Sequence, residues 1–210
     1  MILYRGIGSV IVACAAIFCL AVLGTTRASA YPPAVGILST AKNCLQCHVN
    51  NGPWQAESNV IIDILDKASG KSLKQSDGTF LISARRGELK TVVTVIGARA
   101  QQGDPVPYRN AWLYVDPERI ADTSSLNKFA PGWSVNLPMS CRVVGDAVDL
   151  YPGAYTTALP MTLRAGDDAP AESRLELQVM LTRGASVKAK PALGMEGNYF
   201  LRIVRLIVQP

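Results

Sequence analysis

The sequence predicts a mainly β chain: an immunoglobulin-like β-sandwich preceded by an N-terminal loop and one short helix. Three observations carry this expectation. Apolar residues make up 49% of the 210 positions, enough for one core of ordinary domain size once a leader is set aside. From Thr79 onward, β-branched and aromatic runs recur, each bounded by Gly, Pro or Asp. Seven or so short strands at such intervals are the spacing of a sandwich.

Taken in order, Arg5, an apolar run from Ile7 to Leu23 and the small residues Ala28-Ser29-Ala30 read as a secretory signal peptide over residues 1–30. The expected destination is the periplasm, with membrane contact only in transit. The alternative is an uncleaved anchor, since the 17-residue run approaches the roughly 20 residues a spanning helix needs. Residues 31–54 read as an extended lead and loop. Ser58 is placed to cap a short helix across Val60-Ile61-Ile62-Asp63-Ile64-Leu65 that Gly70 would close. Residues 31–75 thus form one segment and residues 76–210 the sandwich, with 31–210 expected to be a single domain. The predicted strands are Phe80–Ser83, Thr91–Ile96, Trp112–Val115, Arg142–Val144, Met161–Arg164, Leu175–Leu181 and Tyr199–Val208. The last two are expected to pair as a hairpin around a long loop, residues 183–198.

Cleavage after Ala30 leaves 19 basic against 16 acidic side chains and three cysteines, Cys44, Cys47 and Cys141. No Lys/Arg run is long enough to track phosphates, so a nucleic acid is not an expected partner. The chain holds a single histidine, His48. That excludes any site needing several imidazoles from one chain.

Cys44-Leu45-Gln46-Cys47-His48 is the C-x-x-C-H pattern of covalent haem attachment. Two thiols three positions apart on one turn reach the two vinyl groups on one porphyrin edge, and the next residue turns its imidazole under the iron. Cys44 and Cys47 are then consumed in thioethers and His48 is the proximal ligand. A thioredoxin-like dithiol would need a β-α-β context that is missing, and a zinc site would need two further ligands. The expected cofactor is one covalent haem c. Pro53 and Trp54 follow as candidates for the haem pocket, Trp54 as a wall and a carbonyl near Pro53 as acceptor for the other ring nitrogen of His48.

Two further features extend the motif: Tyr31-Pro32 would begin the processed chain, and Val49-Asn50-Asn51-Gly52-Pro53 completes C-x-x-C-H-x-x-N-x-P. Over about residues 31 to 53 the chain resembles cytochrome f, although its spacer from Tyr31 to Cys44 is shorter and the rest of the chain smaller. The resemblance implies that the α-amino group of Tyr31 is the sixth iron ligand. Read from the residues alone, a methionine thioether competes with it. No methionine lies between His48 and Met139, which argues against a small all-helical cytochrome. Met195, in a glycine-punctuated loop, and Met139 are the methionine candidates; Met161 reads as core filler and Met180 as a side chain turned away from the core. An open or water-ligated iron is the third possibility.

The expected activity is single-electron transfer by an Fe(II)/Fe(III) couple, with redox proteins as partners and no enzymatic step of its own. The alternatives are a haem that binds nitric oxide, carbon monoxide or a sulfur compound, and a cytochrome subunit docking to a larger oxidoreductase. Lys67, Lys71, Lys74, Arg85, Arg86 and Lys90 read as a solvated face, with a docking patch for an acidic redox partner as the sharper reading. Cys141 is expected to be a buried, unreactive thiol.

Overall fold

Runs rich in Val, Ile, Thr and aromatic residues become strands throughout the computed structural model, which describes residues 42–46, 48–99, 109–122, 125–136, 145–182 and 196–210. Among these are β1 (Val49–Asn50), β2 (Val60–Asp66), β3 (Phe80–Arg85), β4 (Leu89–Arg99), β5 (Arg109–Val115), β6 (Trp133–Val135), β7 (Asp146–Val148), β8 (Ala154–Ala165), β9 (Glu172–Thr182) and β10 (Glu196–Gln209). They form two five-stranded sheets. In the first, β9 lies between β10 and β5, and β10 carries both β1 and β3 on its other edge, each parallel to it. In the second, the order is β2-β4-β8-β6, all antiparallel, with β7 also on β8. The protein is mainly β.

The two inner faces share one core. Period-two alternation sends Leu175, Leu177, Val179 and Leu181 of β9 inward with Trp112 and Tyr114 of β5 and Phe200, Val204 and Leu206 of β10. They meet Ile62 and Ile64 of β2, Val92 and Ile96 of β4, and Met161 and Leu163 of β8. The Thr94 hydroxyl on β4 and the Tyr114 hydroxyl on β5 lie 2.6 Å apart in this core, a hydrogen bond that joins the sheets.

The segment Val60–Leu65, expected as a helix, is strand β2, paired antiparallel with β4 from Val60↔Ala98 to Asp66↔Val92. Its Val and Ile side chains lose rotamer freedom in a helix and fit a sheet covered on both sides. Ile62 and Ile64 enter the main core, while Ile61 joins Val95 and Ala158 in a cluster on the outer face. A 3-10 turn, Glu57–Asn59, leads directly into the strand. Gly70 closes a turn, not a helix: at φ 68° its N–H bonds the Asp66 carbonyl at 2.8 Å.

The other described strands occupy the predicted stretches with longer ends, and β9 and β10 pair antiparallel from Gly197↔Thr182 to Ile207↔Glu172. The segment Arg142–Val144 lies outside the described residues. Strands β1, β6 and β7 were not expected; each has two or three residues, too few for a periodic signal.

Candidate functional site

The outer face of the first sheet is covered over part of its extent. Leu113 and Val115 of β5 and Gln178, Met180 and Thr182 of β9 all point away from the sandwich core, yet all are buried. Met180 does turn from the core, as the alternation implies, but is only 2% exposed. The segment carrying the cysteine motif lies against this second layer.

Local chemistry shapes the motif. The Asn43 side chain accepts the Leu45 N–H at 3.1 Å, capping a 3-10 turn over Cys44–Gln46. The His48 N–H then reaches the Cys44 carbonyl at 3.0 Å, so one turn carries Cys44 and delivers His48. Cys44 is buried, with its thiol toward Oε1 of Gln178 at 3.8 Å. Gln178, fully buried on β9, donates from Nε2 to the Lys42 carbonyl at 3.1 Å and to Glu176 at 3.3 Å. His48 is half-buried, its Nδ1 turned inward out of solvent.

After His48 the chain is fastened to β10. Val49 and Asn50 pair with Glu196 and Gly197. The Tyr199 N–H donates to Oδ1 of Asn50 at 3.0 Å, and the Gly52 N–H donates to the Gly197 carbonyl at 2.8 Å. The Trp54 N–H donates to Oδ1 of buried Asn198 at 2.7 Å. A Cβ on Gly52 would meet Oδ1 of Asn198 at 2.6 Å and the Gly197 carbonyl carbon at 2.7 Å, so only glycine permits this approach. Trp54 itself lies in the main sandwich core, while Pro53 beside it is exposed.

The residues on hand suit an attached porphyrin. Leu45 is 39% exposed, Val49 45% and Leu201 37%, apolar side chains bordering the motif that a flat hydrophobic group would cover. Leu201 is the cross-strand partner of Gln178, the residue that meets Cys44. Burial, then the neighbouring Cys44 and Glu176, push the Tyr199 hydroxyl above its ordinary range. Cys47, Tyr31, Met139, Met195 and Cys141 lie outside the described residues. Among the described residues no three His, Cys, Asp or Glu side chains gather to hold a metal ion, and no helix is long and apolar enough to cross a membrane.

The basic face lies elsewhere. Arg85 pairs with Gln209 at one end of β10, whereas Asn50 pairs with Gly197 at the other, about 40 Å away at roughly 3.3 Å per strand residue. Lys90 is ion-paired to Asp66, and Arg86 donates to the carbonyls of Gly166 and Asp167, each at 2.8 Å. Lys90 and Arg86 thus have partners within the chain.

The sequence did not point to Gln178, Asn198, Glu176 or Tyr199. A polar residue in a strand, outward like Gln178, Glu176 and Tyr199 or inward like Asn198, reads as solvated or as an interruption unless its partner is known, and the partner segment here lies more than a hundred residues away. Compared with known proteins, the chain matches no family model and no curated protein.

Proposed function

We propose that the chain is a periplasmic electron-transfer protein with one covalent haem c, attached through Cys44 and Cys47 and ligated by His48. The observation that carries this reading is the C-x-x-C-H motif itself, in a segment whose first cysteine and histidine sit on one capped turn against a buried sheet face. When bound, the haem supplies a one-electron Fe(II)/Fe(III) couple. The chain supplies the rest. Cys44 and Cys47 would anchor the group, His48 would present a ring nitrogen to the iron while its Nδ1 is turned into the protein, and the exposed Leu45, Val49 and Leu201 would be apolar cover for it. The candidates for the sixth ligand are the Tyr31 amine, a thioether from Met195 or Met139, and water at an open position, and redox proteins would be the partners.

The sandwich is read as immunoglobulin-like. Support comes from the strand order: β2, β4, β8 and β6 correspond to strands A, B, E and D, and β5, β9 and β10 to C, F and G. Trp112, buried on β5, stands where that fold keeps a tryptophan on strand C.

The test is mass spectrometry and redox titration of the exported protein. The mass should match Tyr31–Pro210 plus one haem, and His48→Ala should abolish the reversible haem couple. A native spectrum in His48→Ala, or an exported chain without covalent haem, refutes the proposal. An extra residue before Tyr31 identifies the amine ligand if it alters the low-spin spectrum, and a methionine-to-iron band indifferent to that extension selects a methionine.

A further inference from the structure

Two buried carboxamides stand on neighbouring strands of the first sheet, Gln178 on β9 and Asn198 on β10. Each is tied to the backbone of the motif segment: Gln178 to the Lys42 carbonyl before the motif, and Asn198 to the Trp54 N–H after it. A polar side chain buried in a strand costs free energy unless it is hydrogen-bonded, so both are committed to this contact. Between these points lie twelve consecutive peptide links containing Cys44, Cys47 and His48. We propose that Gln178 and Asn198 are positioning residues that clasp the motif from both sides and fix the orientation of the His48 ring, and thereby the electron affinity of the iron. This rests on the haem reading above and adds to it a determinant of potential that does not touch the iron, although Gln178 also meets Cys44.

The argument is one of rigidity. A ring held by a single-turn loop would rotate with that loop. Here the loop leaves a parallel pairing on β10, bonds twice more to that strand through Gly52 and Asn50, and ends on Trp54 in the core. On the other side the Gln178 amide stops the turn from lifting off β9. Groups that orient a metal ligand without touching the metal typically alter affinity or activity about 10- to 100-fold. A loosened imidazole donates less charge to the iron, which favours the ferrous form.

The experiment compares Asn198→Ala and Gln178→Met with Thr94→Val, which breaks the Thr94–Tyr114 hydrogen bond in the core and leaves the motif untouched. All are made in the full chain and isolated as the holoprotein. The expected result is normal covalent haem content with the ferric-to-ferrous ratio at fixed ambient potential lowered about tenfold, a rise of about 59 mV for a one-electron couple. A second electron paramagnetic resonance signal should accompany it, and Thr94→Val should show neither change. Should Asn198→Ala not accumulate, Gln178→Met alone carries the test. Potentials and signals matching wild type in the clasp variants overturn the proposal. So do shifts matched by Thr94→Val, because the effect would then follow stability. A wild-type chain without covalent haem overturns the functional reading first, and the haem assay separates the two failures.

Discussion

Replacing Gly52 by alanine tests the contact on which the site's geometry depends. The added methyl would sit 2.6 Å from Oδ1 of Asn198, 2.7 Å from the Gly197 carbonyl carbon and 2.9 Å from its Cα. Two of these are backbone atoms of a central strand and cannot swing away, so the segment must rise from β10. That breaks the Gly52–Gly197 and Trp54–Asn198 hydrogen bonds, each about 1 kcal/mol net. It also leaves a buried acceptor on Asn198 unpaired, at about 1–3 kcal/mol. The sum is on the order of 3–5 kcal/mol, or a fall in Tm on the order of 10 °C for a domain of this size. Urea titration measures it: the midpoint should fall at unchanged m, since the same surface is exposed on unfolding. A loss below about 0.5 kcal/mol would refute the close approach of this segment to β10.

Two further outcomes concern the scaffold. Thr94→Val leaves the buried Tyr114 hydroxyl without its 2.6 Å partner and should cost about 1–3 kcal/mol. Adding Tyr114→Phe should recover much of that loss, and a double-mutant cycle in urea measures the coupling. The Lys90 ammonium, with the N–H and hydroxyl of Ser69, holds the Asp66 carboxyl at about 2 against its ordinary 3.8. Because the folded value lies below the unfolded one, this stabilises the protein above about pH 4, on the order of 2 kcal/mol, and is lost as pH falls toward 2. Asp66→Asn should lower stability at pH 7 and flatten the acid limb between pH 4 and 2, as read by urea midpoints across pH.

Strand identity was legible wherever a run was long enough to show its composition, as in β4, β9 and β10. It misled at Val60–Leu65, where a serine upstream and a glycine downstream looked like caps although the β-branched side chains between them favoured a sheet. The motif residues were legible because their chemistry depends on local spacing: Cys44 and His48 are one turn apart whatever the fold. The residues that hold the motif in place were not. Gln178 and Asn198 acquire their role only through contacts 136 and 144 positions away along the chain. Trp54 was legible as an aromatic beside the motif, yet which surface it joined depended on where β10 ran.

Strand β10 follows every other described strand in the chain but runs through the interior of its sheet, and β1 and β3 form their ladders only with it. During synthesis the first sheet therefore cannot assemble in order. Phe80, Ile82 and Ala84 wait for residues 204–208, and the cysteine segment waits for Gln178 and Asn198. Pairings of such long sequence separation form slowly. The chain consequently passes an interval in which the motif is not yet docked and the Cys44 thiol stands open to reaction, and the completion of the first sheet ends that interval.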